Sequence, residues 1–373
     1  MPRPRKNPEE KSVSESLERK KSPPAKYFLS TGSTLLDLAI SNRYPGGVGS
    51  GRITQFYGGP STAKTVLLQE ILGSAQRAGG TAVYEDAEHT LDFDRAESLF
   101  GLAAGAWADE DAQTEFLDKP IKEVAEIYPP FIYRIPGNVE SLYDEELAGV
   151  IELLQEGKLT SPVAFGVDTL SAMPSIAEQE SKLTDGTYGT SRAKQFSAAF
   201  RKYNKLMSDL QLTVVALDQV RSKLGISFGD KDAVSGGRAI EFYSSTRVKL
   251  SHKGEIKDKN EIPVGVQLDF KVIKNKIAPP FREGPLYILF EYGVDDIRGN
   301  LEWLKDKLLP EFESPFKISG AWFAWGDLKL GQGMENAIVG VEELGLVKTV
   351  QEEVVRVWKI LHAPPKRKTK ERV

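Results

Sequence analysis

The chain reads as an α/β fold in which a central, mostly parallel β-sheet is flanked by helices, followed by a small C-terminal α+β domain. Two patterns carry that reading. Short β-branched and aromatic runs alternate with longer stretches of helical period, as a sheet built from strand–helix–strand units requires. From Asn300 the character changes to short amphipathic segments punctuated by Trp303, Trp322 and Trp325. At 373 residues there is room for one large domain and a smaller one.

Residues 1–26 carry eight Lys or Arg against four Glu and several prolines, and read as a charged, flexible segment. Strands are expected at Arg52–Tyr57, Thr81–Glu85, Val163–Asp168, Thr213–Asp218, Thr246–Ser251, Gln267–Ile273 and Leu286–Phe290. Helices are expected over Thr65–Arg77, Leu142–Gln155 and Ser191–Leu210. In the last, Ala193, Phe196, Phe200, Tyr203, Met207 and Leu210 recur every three or four residues and form one apolar face. Residues 102–128 are irregular and acidic and read as a surface insertion. The expected organisation is therefore a core over 27–299, a small domain over 300–363 and a basic tail over 364–373. No internal repeat is visible.

Composition excludes several classes. The chain has no cysteine, so disulfides, thiolate metal sites and Cys nucleophiles are ruled out. Its three histidines, His89, His252 and His362, show no metal-ligand spacing. No apolar run approaches membrane-spanning length and the first 26 residues contain no signal-type apolar region, so a cytoplasmic protein with no membrane partner is expected. A net charge of −4 argues against a uniformly basic nucleic-acid coat, yet leaves room for local basic patches.

Strand Arg52–Tyr57 leads into Gly58-Gly59-Pro60-Ser61-Thr62-Ala63-Lys64-Thr65 and then a helix. Strand, glycine-rich loop and helix in that order make a phosphate cradle: backbone N–H groups surround the phosphates, the lysine adds a point charge, and the hydroxyl binds Mg²⁺. The usual G-x-x-x-x-G-K-[ST] pattern has glycine where this chain has Ala63. A positive φ there would cost on the order of 1 kcal/mol. The strand ending in Asp86-Ala87-Glu88-His89 and the strand ending in Asp168-Thr169 bring two further acids to the same sheet edge. One acid there can hold Mg²⁺ or its waters, and the other can orient an attacking water. Asp92 is placed with the nucleotide-binding residues.

Longer motifs extend this pattern. They are Ser30-Thr31-Gly32-Ser33, the stretch Leu217-Asp218-Gln219-Val220-Arg221-Ser222-Lys223-Leu224-Gly225, Ser235-Gly236-Gly237, and Phe242-Tyr243-Ser244-Ser245-Thr246-Arg247. Val272–Phe281, with its Lys274-Asn275-Lys276 core, and Gly320-Ala321-Trp322 before Gly331-Gln332-Gly333 complete the set. From about Leu29 to about Gly333 the chain resembles the RecA family of bacterial and phage recombinases.

That resemblance implies a RecA-type P-loop ATPase core using ATP and Mg²⁺. Glu88 matches the carboxylate that activates water, Asp168 with Thr65 the Mg²⁺ site, and Gln219 the γ-phosphate sensor beside a DNA loop over Val220–Gly237. An earlier DNA loop would span Ala177–Gly189. Lys274 and Lys276 match lysines that reach a neighbour's ATP, and Phe242 an aromatic of the subunit contact. In the later loop Arg221 and Lys223 can pair with phosphates, Ile226 or Phe228 can wedge between bases, and Gly236 and Gly237 supply flexibility. Arg192 and Arg201, off the apolar stripe of their helix, are assigned to DNA as well.

The implied partners are single-stranded DNA, a homologous duplex and further copies of the chain in a helical filament, with loader or single-strand-binding proteins as accessories. A ring-forming DNA motor and an ATP-binding coat protein with little turnover are the competing classes. The chain departs from the family pattern at Ala63, at Asp218 where Asn is common, in its charged N-terminus, and in its basic C-terminal tail.

Overall fold

The computed structural model describes residues 23–104, 107, 109–128, 130–181, 189–222, 232–234 and 237–363. Its strands are, in chain order, β1 (Phe28–Leu29), β2 (Val48–Gly49), β3 (Ile53–Gly58), β4 (Thr81–Asp86), β5 (Phe131–Arg134), β6 (Val163–Asp168), β7 (Thr213–Ser222) and β8 (Asp232–Val234). They continue as β9 (Thr246–Lys257), β10 (Pro263–Asn275), β11 (Glu283–Leu289), β12 (Gly293–Val294), β13 (Phe316–Ser319), β14 (Trp322–Trp325) and β15 (Leu328–Gln332).

One large sheet has the order β12-β11-β10-β9-β3-β7-β6-β4-β5, with β8 paired to β7. Neighbours from β9 across to β5 are parallel. The β9–β12 wing is antiparallel. Strands β3, β4 and β6 are buried over their whole length; β6 is apolar up to Asp168, whereas β3 and β4 also bury Thr54, Gln55, Thr81, Glu85 and Asp86. The helix Lys64–Arg77 lays Leu67, Leu68, Ile71, Leu72 and Ala75 into the core. Gly166 permits its close approach: a Cβ there would meet a Leu68 methyl at 2.5 Å.

Every expected strand is present, several with longer bounds. The hairpin β9–β10 is the main extension, because the outer part of β9 is polar and largely exposed and so lacks the apolar run that marks a strand. The helix Gly189–Asp209 buries Phe196, Phe200, Tyr203 and Met207, as its period predicts, and leaves Ala193 half-buried; Leu210, expected as its last residue, is half-buried in the turn just after it.

Residues 102–128 correct the expectation of an irregular surface insertion. They contain the helices Glu110–Leu117 and Ile121–Ile127. Trp107 is fully buried and packs edge-on against Phe116 and Tyr133, with centroids 5.3 and 5.6 Å away. Its indole N–H donates to the Phe131 carbonyl at 3.2 Å. Strand β5, a run of four residues after two prolines, was not anticipated either, and it provides the sheet edge that this aromatic cluster covers.

The helix Asp296–Lys307 runs across residues 299 and 300, and β13–β15 form a separate antiparallel sheet beside the helices Met334–Glu343 and Val347–Leu361. Half-buried Asp296 ties this region to the start of the core, accepting from Thr34 N–H at 2.7 Å, Thr34 Oγ1 at 2.8 Å and Gln351 at 2.9 Å. Among the described residues no helix is long and apolar enough to cross a membrane.

Candidate nucleotide and DNA site

Four strand ends meet at one edge of the sheet. Register places Gly58 of β3 opposite Gln219 of β7, and Asp86 of β4 opposite Asp168 of β6. Since the order there is β3-β7-β6-β4, the phosphate loop, Gln219, Asp168 and the Glu88 turn lie side by side at the carboxyl ends of parallel strands.

In the loop, Ala63 caps the helix with φ 55° and ψ 28°, and Ser61 also has a positive φ of 55°. The left-handed cost at Ala63 is on the order of 1 kcal/mol, while its half-buried methyl packs against the core and regains part of about 0.8 kcal/mol. Glycine would relieve the strain, lose the methyl contact and add unfolded-chain entropy. Ala63→Gly is therefore expected to shift stability by less than about 1 kcal/mol in a denaturant melt, and a larger loss would show that the alanine is required by packing.

Lys64 Nζ donates to Gly59 O at 2.8 Å and lies 3.4 Å from Thr62 Oγ1, so the ammonium is folded over the loop. Burial lowers its pKa, against the opposing pull of Asp168, Glu88 and Asp218. Thr65 Oγ1 donates to Asp168 Oδ2 at 2.7 Å, and Tyr84 donates to the same oxygen at 3.0 Å. The second oxygen, Oδ1, is buried and without a hydrogen-bond partner among the described residues. Burial pushes the Asp168 carboxyl up to about 6; the Thr65 and Tyr84 bonds oppose that shift, and the charges of Glu88 and Asp86 add to it. A hydroxyl beside a carboxylate with an orphaned oxygen fits Mg²⁺, which takes one or two protein oxygens and completes its shell with waters and substrate phosphates.

Glu88 is exposed at the mouth of this edge, and Asp86 shapes the turn that carries it. Asp86 accepts from Glu88 N at 3.2 Å, from Thr90 N and Leu91 N at 2.9 Å, and from the Tyr133 hydroxyl at 3.1 Å. Thr169 Oγ1 donates to Glu88 Oε1 at 3.0 Å and lies 2.8 Å from Ser171 Oγ, which in turn accepts from Gln219 N at 3.3 Å. Tyr84, Thr169 and Ser171 escaped the sequence reading. Thr169 and Ser171 are single hydroxyls beyond a strand, which have no period, and only their position after Asp168 hinted at them; Tyr84 lies inside β4 and reads as a core aromatic.

Other expected residues sit apart from this cluster. Asp92 is exposed, and its carboxylate caps the helix Phe93–Phe100 through Arg95 N at 3.0 Å. Arg192 is paired with Glu178 at 3.3 Å and donates to Ser171 O at 3.2 Å, whereas Arg201 is exposed. Lys274 donates to the Glu241 and Phe242 carbonyls at 2.6 and 2.8 Å, and burial followed by repulsion from Lys276 lowers its pKa. Phe242 is 71% exposed, unusual for so large an apolar ring. Asn275 pairs with Thr246 and Thr246 with Thr54, so Lys274 and Lys276 flank a position four residues before Gly58. At about 3.3 Å per residue that is roughly 13 Å along the strand from their own phosphate loop. Lys223, Ile226, Phe228 and Gly236 lie outside the described residues, as does the side chain of Arg221, and Gly237 opens the helix Gly237–Tyr243.

The model of the RecA N-terminal domain matches residues 13–104 and 152–295. The chain is 33% identical over 309 residues to Protein RecA of Rubrobacter xylanophilus, covering 83% of this chain and 77% of that one. Protein RecA of Thermus thermophilus is 32% identical over 320 residues, at 84% and 80% coverage, and that of Gluconobacter oxydans 33% over 311 residues, at 83% and 77%. The chain belongs to the RecA family. For this RecA-family chain the matched segments contain the phosphate loop, the Glu88 turn, Asp168 and Gln219, while residues 105–151, with the buried Trp107 and Phe116, fall outside the match.

Proposed function

We propose that this chain is a DNA-dependent ATPase recombinase that assembles on single-stranded DNA and pairs it with a homologous duplex. The observation that carries the reading is the alignment of Gly58, Gln219, Asp168 and Glu88 at one edge of the parallel sheet, with Glu88 and the Gln219 backbone in one hydrogen-bonded chain. ATP is the nucleotide. Amides of the loop and of the first helical turn, which lack intrahelical acceptors, face its phosphates, and Lys64 adds positive charge. Thr65 and Asp168 would hold Mg²⁺, which when bound would neutralise charge on the phosphates.

Glu88 orients the attacking water and accepts its proton, and Gln219 reports the γ-phosphate to the segment that begins at Val220. Arg201 is exposed for phosphate contact, whereas Arg192 is held by Glu178 and serves DNA through the position of its helix. Lys274, Lys276 and Phe242 lie at a different edge, where they are available to a neighbouring copy. Such a head-to-tail contact builds a filament. Loader or single-strand-binding proteins would act on that assembly from outside.

The test is ATP hydrolysis with and without single-stranded DNA, at low and at moderate salt. Stimulation by DNA that weakens as salt rises is expected, since phosphate contacts release counterions. No hydrolysis in either condition, with DNA binding intact, would point instead to a coat protein.

A further inference from the structure

The site joins three elements through one small side chain. Ser171 stands just beyond β6, with its hydroxyl between Thr169 Oγ1 and Gln219 N and its carbonyl on Arg192. Gln219 directly precedes the segment from Val220, and Arg192 lies in the first turn of the helix that follows the segment ending at Gly189. Ser171 thus touches the residue that precedes one segment assigned to DNA, through its side chain, and a residue that follows the other, through its backbone.

The polarity of the hydroxyl chain follows from its ends. As a carboxylate, Glu88 can only accept, so the single Thr169 hydroxyl proton goes to Glu88 Oε1. The 2.8 Å contact between Thr169 and Ser171 must then be made with the Ser171 proton, which leaves the Ser171 oxygen to accept from Gln219 N–H. Every bond points the same way: Gln219 N–H to Ser171, Ser171 O–H to Thr169, Thr169 O–H to Glu88. Bonds aligned in this manner polarise one another, and a displacement of the Gln219 backbone is felt at the carboxylate. Thr169 is buried and Ser171 half-buried, so water competes poorly for the middle of the chain.

We propose that Ser171 is a positioning residue that couples DNA engagement to hydrolysis, by tying the Gln219 strand end and the Arg192 helix to the orientation of Glu88. The inference rests on the recombinase reading. Ser171→Ala removes the acceptor for Gln219 and the donor to Thr169 at once, while Ser171→Thr keeps both.

The experiment measures kcat and KM for ATP with and without single-stranded DNA in the full chain. Ser171→Ala is expected to lower the DNA-stimulated kcat by about five-fold relative to the unstimulated rate, with KM within about two-fold, and Ser171→Thr to restore it. Thr169→Val breaks the same chain one link further on, so combining it with Ser171→Ala should cost little more than either alone. Unchanged stimulation in Ser171→Ala, failure of Ser171→Thr to rescue, or additive losses in the double variant would each overturn the role of Ser171. A wild-type chain that DNA does not stimulate would overturn the recombinase reading and the relay with it.

Discussion

Glu88→Gln is expected to lower ATP turnover by about a hundred-fold or more while ATP and DNA binding stay within a few-fold of wild type. The amide has the shape of the carboxylate and can still accept from Thr169, so the turn held by Asp86 should keep its form. What it cannot do is take a proton from water. Binding should be spared because the groups proposed to hold the phosphates, the loop amides, Lys64 and the Thr65–Asp168 pair, keep their hydrogen bonds, and the substitution removes only one of the neighbouring charges that act on Lys64 and Asp168. The measurement is phosphate release at saturating single-stranded DNA, set beside titration with a fluorescent ATP analogue and anisotropy of a labelled oligonucleotide. Turnover at the wild-type rate would remove Glu88 from the chemistry and leave Asp86 or Asp168 to be tested in its place.

Glu88 was legible in the sequence for the same reason that Lys64, Thr65 and Asp168 were. A parallel sheet delivers its strand ends to one edge, and apolar runs that close on a carboxylate or a glycine loop announce those ends. The sheet's central strands were equally plain, since burial on both faces favours short runs rich in β-branched, aromatic and other apolar residues. What lay outside reach depends on contacts between distant segments. Trp107 and Phe116 sit in an acidic stretch of short helices, where charge on the exposed side hides the few aromatic residues that decide the packing.

The left-handed backbone at Ala63 is set by the loop as a whole, because an alanine written in a sequence carries no sign of φ. Arg192 looked like a free cation because its partner Glu178 lies on another element. Ser171 had no signal at all until β6, β7 and the helix Gly189–Asp209 were placed together.

Lys276 offers the second large effect, since on the proposed filament reading the catalytic site is shared between two copies. In its own chain Lys276 follows Asn275, whose register partners lead to Thr54 at the start of β3, roughly 13 Å along the strand from Gly58. A lysine side chain cannot span that distance back to its own phosphates. Lys276 is exposed, whereas Lys274 is engaged with the Glu241 and Phe242 carbonyls, so Lys276→Ala removes charge with little cost to the fold.

Turnover with DNA is expected to fall about ten- to a hundred-fold, the range for losing one cation from transition-state stabilisation. Lys64→Ala should be inactive for the opposite reason, its own loop being crippled while its Lys276 is intact. Mixed in equal amounts on one DNA, the two variants create junctions in which an intact loop faces an intact Lys276. Random assembly makes about one junction in four of that kind, so the mixture should recover roughly a quarter of the wild-type rate. A mixture no faster than the mean of its two components would place Lys276 outside the neighbour's site. The lysine would then be one of the chain's surface charges, and hydrolysis would be a matter for each subunit alone.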